Sequence, residues 1–230
     1  MKIISYNIST CKQWKIDRLL DMDADVFVVP EIACPEQVVI TDDLQMAWNG
    51  VKWEISGKQH SKGLGIIWKK GHGMIPEWYN PNLTFAIPLI YDEVLVLAFW
   101  PTKCKGISDR MKYPQIAQML IDYYKPFLMK KTSVVIGDFN CCVNQSDYSK
   151  KYGDMRQVNE HLEACGLFSL YHKKTGETIG EESSPTYYHR FNINQPFMLD
   201  YAYTNKDVEY FHLLEADLKM SDHVGLKLDI

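Results

Sequence analysis

Apolar residues run along this chain in short blocks whose spacing alternates between two periods. Residues 3–8 read as a strand, Ile16, Leu19, Leu20 and Met22 recur at helical spacing, and residues 25–30 form a short, almost continuous apolar run typical of a central strand. The chain therefore opens as strand, helix, strand. Residues 63–69, 83–89 and 94–100 are further strand-like runs separated by Gly, Asn and Pro, which predicts neighbouring strands on short connections. The clearest helix covers 113–128, where Tyr113, Ile116, Ala117, Leu120, Ile121, Tyr124, Phe127 and Leu128 share one face. Pro114 suits its first turn, and Pro126 is expected to kink it or end it early. Residues 133–137 read as another buried strand, and Asp154 as the cap of a helix carrying Met155, Val158, Leu162 and Cys165 that stops at Gly166. Residues 198–204, 208–214 and 224–230 return to strands.

Strands at both ends and in the middle, with a few helices between, predict an α+β fold: two sheets packed face to face with helices outside. No Pro-rich, Ser-rich or charge-block linker divides the pattern, so residues 1–230 are expected to form one domain. The chain is long enough for a substantial core, and its aromatic content of 13% argues against disorder. Charge narrows the partners: 25 Lys and Arg against 29 Asp and Glu leave −4, without the basic field that drives promiscuous binding to duplexes or anionic lipid. Contact with phosphate must therefore be local, through a few cations or a metal ion.

The amino-terminal residues lack the apolar block and cleavage site of a secretion signal, and the longest apolar runs fall far short of the roughly 20 residues that cross a bilayer. Six cysteines include no CxxC pair, and adjacent Cys141 and Cys142 are poorly placed for two ordinary disulfides. They read as reduced thiols in a cytoplasmic protein, with no membrane and no evident obligate protein partner. The Asn-x-Ser/Thr triplets at Asn7, Asn82 and Asn144 are then chance matches.

Polar residues gather at the ends of the apolar runs. Asn7 follows the first, Glu31 the second, and Asp138 and Asn140 the strand at 133–137; Asp200 interrupts the run at 198–203, and Asp222 with His223 precedes the last strand. Each alone is explained as a turn or cap residue. As a set they supply what phosphodiester hydrolysis requires: oxygen ligands for a hard cation, a base for water, and an acid to orient an imidazole.

On five blocks the sequence resembles the endonuclease/exonuclease/phosphatase family: Ile4-Ser5-Tyr6-Asn7, the segment 25–31 ending in Pro30-Glu31, Gly137-Asp138-Phe139-Asn140, Leu199-Asp200-Tyr201, and Ser221-Asp222-His223. The resemblance spans nearly the whole chain and implies a DNase I-like four-layer α/β/β/α sandwich. It implies that Glu31 is the principal ligand of Mg2+ (or Mn2+), with Asn7 beside it and Asp222 as a further ligand or an outer group. Asp138 is then expected to orient or deprotonate the attacking water, Asn140 to hold that water or a phosphate oxygen, His223 to bond the scissile phosphate, and Asp200 to fix the histidine tautomer. Sequence leaves open whether Asp138 or His223 takes the proton.

One departure matters. Many relatives place His or Tyr at the end of the strand corresponding to 94–100, where this chain has Trp100, a donor that cannot accept a proton or replace an imidazolium. Lys103 is the candidate replacement for that charge, the alternatives being catalysis on His223 alone or weak activity. Lys103, Lys105, Arg110 and Lys112, opposed only by Asp109, form a basic stretch that either holds phosphates or is a solvated loop. Thr186, Tyr187, Tyr188 and His189 are either substrate contacts or ordinary sheet packing. Gly63-Leu64-Gly65 opens no evident helix and reads as a tight strand start.

Adjacent Ser221-Asp222-His223 do not assemble a triad by adjacency and no G-x-S-x-G segment occurs, which argues against a serine hydrolase, and the His and Cys spacing argues against a closed zinc site. The leading expectation is a Mg2+-dependent nuclease acting on DNA, with RNA second. The alternatives are a phosphatase or phosphodiesterase acting on a small-molecule or lipid phosphate, and a catalytically silent nucleic-acid-binding module of the same fold.

Overall fold

The computed structural model describes residues 1–103, 111–143 and 152–230. Its first sheet runs, in spatial order, β13 (Tyr210–Leu213), β14 (Leu226–Asp229), β1 (Lys2–Ser5), β2 (Val26–Ile32), β4 (Lys58–Lys69) and β3 (Leu44–Ile55). The second runs β5 (Gly73–Met74), β6 (Ala86–Tyr91), β7 (Val94–Phe99), β8 (Ser133–Asp138), β12 (Asp200–Thr204) and β9 (Phe168–Ser169). A separate small hairpin joins β10 (Tyr187–Tyr188) to β11 (Pro196–Phe197). The helices are α1 (Gln13–Leu20), α2 (Tyr113–Leu128), α3 (Met155–Glu163) and α4 (Leu170–Thr175).

Each large sheet holds one parallel pair, β1 with β2 and β7 with β8, and each pair is spanned by a helix, α1 or α2. The near-continuous apolar runs follow from this arrangement. Alternate residues of β1 and β2 point opposite ways: Ile3, Val26 and Val28 join the core between the sheets, while Ile4, Phe27 and Val29 pack with Ile16 and Leu19 of α1 on the outer face. On the other side Ile116, Leu120, Ile121 and Tyr124 of α2 are buried in the core that also contains β7 and β8. Fully burying such a side chain stabilises by roughly 1.5–3 kcal/mol, so these two helix faces fix the outer layers. The expected α/β/β/α order results.

The sequence reading needs correction at several ends. Helix α2 runs through Pro126 to Leu128; the N–H that Pro126 lacks would have bonded Asp122, an exposed residue, so the loss costs little one turn from the end. Gly63-Leu64-Gly65 lies inside β4, which begins at Lys58. Helix α3 ends at Glu163, although Asp154 does cap it by accepting the Arg156 N–H. Strand β3 and helix α4 have no counterpart in the sequence reading. Strand β3 pairs with β4 along its full length and closes on a two-residue turn, Ser56-Gly57, both with positive φ, the geometry that makes glycine favourable there. Cys11, Cys34, Cys141, Cys142 and Cys165 take part in no disulfide, and no helix among the described residues is long and apolar enough to cross a membrane.

Candidate active site

The carboxyl ends of parallel strands form a natural binding rim. Asn7 lies two residues beyond β1, Glu31 near the end of β2, Trp100 beyond β7 and Asp138 at the end of β8. Asp200 reaches the same rim because β12 runs antiparallel to β8 with Asp200 opposite Asp138. Close approach of the strands is demanded beneath it: a Cβ on Gly137 would stand 1.8 Å from the Phe99 carbonyl oxygen, which explains the glycine preceding Asp138.

Two rim residues are turned by the backbone. The register between β2 and β4 shifts between Pro30 and Ile32, so Glu31 is the extra residue of a bulge and has φ +67°. Asn140 has φ +52°, and its amide donates to Asp138 Oδ1 at 2.8 Å. Its side chain donates to the Pro101 carbonyl at 3.4 Å.

Asp138, Asp200 and His223 bring ligand atoms within 4.8 Å of one another, and all three are buried. His223 Nδ1 lies 2.9 Å from Asp200 Oδ2, while its Nε2 stands 3.9 Å from Asp138 Oδ2. With Nδ1 bonded to Asp200, Nε2 is the nitrogen left facing Asp138 at the rim, too far from it for a hydrogen bond. Asn7 Nδ2 donates to Asp138 Oδ2 at 2.9 Å, and the Ser9 N–H donates to Asn7 Oδ1 at 2.8 Å. Ser221 Oγ donates to the Asn7 carbonyl and accepts the His223 N–H, tying the first and last site segments together.

Burial pushes Asp138 up to about 6 and also raises Asp200, while the imidazole pulls both back. Burial alone would lower His223, but Asp200 and then Asp138 outweigh it and hold the imidazole at about 9. The Glu31 carboxyl is raised by burial against the opposing pull of Lys62, and it also feels the charges of Asp138 and His223.

Lys62 has no place among the residues expected from sequence. Strand β4 pairs Gly63 with Ile32, which carries Lys62 past the end of β2, where its Nζ lies 2.6 Å from Glu31 Oε2 and 5.7 Å from the centroid of the Trp100 ring. Residue type cannot distinguish it from other lysines; only the pairing register brings it here. Lys103 lies over the Tyr113 ring at 5.7 Å, and Lys105 and Arg110 fall outside the described residues. Thr186 lies beneath the site rather than on its surface: it is buried, and its Oγ1 accepts the N–H groups of Leu199 and Asp200. Tyr187 is half-buried with its ring 4.6 Å from that of His223. Asp222, next to His223, adds its charge to those that raise the imidazole, and its carbonyl accepts the Tyr188 N–H.

The donor set suits a hard divalent cation, which takes a few carboxylate and amide oxygens and keeps several waters. Glu31 with Asn7 Oδ1, which retains a lone pair, and the adjacent acids offer such oxygens.

No protein-family model matches this sequence, and no curated protein is significantly similar to it. Solved structures do share its fold. The chain is similar over its whole length to the 3' phosphatase NExo from Neisseria bound to a product DNA hairpin, at 15% identity and TM-score 0.72 with 99% of that chain covered. It is similar over 99% of its length to an AP endonuclease from Archaeoglobus fulgidus, at 16% identity and TM-score 0.68 with 98% of that chain covered. A third is an endonuclease/exonuclease/phosphatase family protein from Leptotrichia buccalis, at 15% identity and TM-score 0.62, with all of this chain and 99% of that one covered. The architecture is thus the DNase I-like sandwich.

Proposed function

We propose that this protein is a divalent-metal-dependent phosphodiester hydrolase acting on nucleic acid, DNA before RNA. The buried cluster of Asp138, Asp200 and His223 opening beside the Glu31 bulge carries this reading. Mg2+, or Mn2+, held by Glu31 and Asn7 with Asp222 as an outer group, would neutralise phosphate charge. An imidazole held at about 9 is charged near neutrality, so His223 donates: Nδ1–H to Asp200, and Nε2–H to a phosphate oxygen. Proton acceptance from the attacking water then falls to Asp138, ionised above about 6 and fixed by Asn7 and the Asn140 amide. Asn140 orients the water or a phosphate oxygen, and Asp200, braced by Thr186, sets the tautomer. Lys62 supplies beside Trp100 the positive charge that a histidine supplies elsewhere.

The fold's relatives support nucleic acid: one is a 3' phosphatase bound to product DNA hairpin and another an AP endonuclease. The test is hydrolysis of single-stranded, nicked, abasic and duplex DNA with and without Mg2+, beside phosphatidylinositol phosphates and a cyclic dinucleotide. Metal-dependent cleavage of DNA that is lost in Asp138→Ala and His223→Ala is the expected result. Undiminished rates in both variants would reject the site; turnover of only lipid or small-molecule phosphates would reject the substrate, and affinity without turnover would mark a binding module.

A further inference from the structure

The β3–β4 hairpin projects beyond the sheet at the active-site rim. Strand β2 pairs with β4 only from Gly63 onward, whereas β3 and β4 continue to pair out to Ile55 and Lys58, so the arm at 51–62 rises past the end of β2 next to Glu31. Cross-strand partners share a face. One face therefore carries Val51 with Lys62, Trp53 with His60, and Ile55 with Lys58. Val51, Trp53 and Ile55 are 43%, 41% and 56% exposed, an uncovered apolar row flanked by lysines on a protein that is acidic overall. The Trp53 and His60 rings lie 5.9 Å apart and only 17° from parallel. Between the arm and the segment 9–13 lies a cavity of about 400 Å³, with Glu31, Ser9, Gln37, Trp53, His60 and Lys62 in its walls.

We infer that this cavity is a subsite for an unpaired nucleotide, whose base stacks on the Trp53–His60 pair while its phosphate faces Lys62 and the Glu31 site. The inference rests on the hydrolase reading and adds the substrate's strandedness to it. Stacking platforms of aromatic rings among cations bind single strands without reading sequence, because every base offers a π-face, whereas internal bases of a duplex have both faces covered. The alternative occupant, a bilayer, is disfavoured by the arm's own order: its tip is Ser56-Gly57, the tryptophan is set back from it, and the adjoining cavity places the charged Glu31 and Lys62 beside Trp53.

The experiment titrates a short oligothymidylate, a blunt DNA duplex and phosphatidylcholine vesicles against the full chain in chelator, reading tryptophan fluorescence and anisotropy of labelled DNA. Oligothymidylate is expected to quench the emission, and Trp53→Ala to weaken its binding roughly ten-fold while Trp53→Phe, which keeps a stacking ring, loses far less. The preference for oligothymidylate over duplex should shrink in Trp53→Ala and in His60→Ala, with unchanged far-UV circular dichroism showing that the arm is folded. Equal single-strand affinity in Trp53→Ala and parent, equal losses for single strand and duplex, or a blue shift with vesicles and none with DNA would each overturn the subsite. Its failure leaves the hydrolase reading, which stands on Asp138 and His223, intact. If the parent cleaves no nucleic acid yet Trp53-dependent quenching persists, the hydrolase reading falls and the subsite stands.

Discussion

The two sides of the rim are built differently. On one side Asp138, Asp200 and His223 are buried and tied by Asn7, Asn140, Thr186 and Ser221. On the other, Glu31 sits on a bulge with its side chain 18% exposed, held by the more exposed Lys62 beside an open cavity. Low dielectric and fixed partners on the first side shift pKa values and pre-orient groups for proton handling. The second side has room for ligand exchange. The proposed hydrolysis, which holds protons in place yet admits a cation and a phosphate chain, would draw on both kinds of environment.

Breaking the buried side should have the largest effect. His223→Ala and Asp138→Ala should each lower metal-dependent cleavage by roughly 10²- to 10⁴-fold, as checked by single-turnover rates. Asp200→Asn leaves the imidazole in place but removes the charge that raises it; a loss of roughly 10- to 100-fold is expected. The alkaline limb expected near 9 for the parent should also move to lower pH in this variant.

The pH profile sharpens the contrast. The proposed acceptor, Asp138, can take a proton only when ionised, so the rate should fall about ten-fold per unit as pH drops below about 6. A bound cation favours the carboxylate, and rising Mg2+ should move that limb to lower pH. Stability follows His223 with the opposite sense: its pKa is raised from 6.5 to about 9, so its contribution is complete below about 6.5 and is lost as pH rises through about 9. Melting temperatures measured across that range, parent against His223→Gln, test this.

The smallest change falls on the open side. Lys62→Met removes a partially exposed competitor for Glu31, and Mn2+ affinity read by electron paramagnetic resonance should tighten by no more than about five-fold, as suits a pair of that exposure. Weakened Mn2+ binding would instead show that Lys62 organises the cation site.

Much of the fold was legible in the pattern itself. A strand covered on both faces must be apolar at nearly every position, and a helix resting on it must be apolar every third or fourth, so β1, α1, β2, α2 and β8 were visible as such. The polar residues ending those runs stood out for the same reason. Strand β3 did not, because much of its length is an arm with neither face fully covered, leaving no burial pattern to read. The sequence could determine which residues had to be inside and which acids, amide and histidine stood at strand ends. Only the tertiary structure decided their partners. The register that sets Gly63 against Ile32 delivers Lys62 to Glu31 and Trp53 to the rim, and antiparallel pairing sets Asp200 across from Asp138. Such contacts join residues far apart in the chain through backbone pairing, and backbone hydrogen bonds leave no mark on which side chains they bring together.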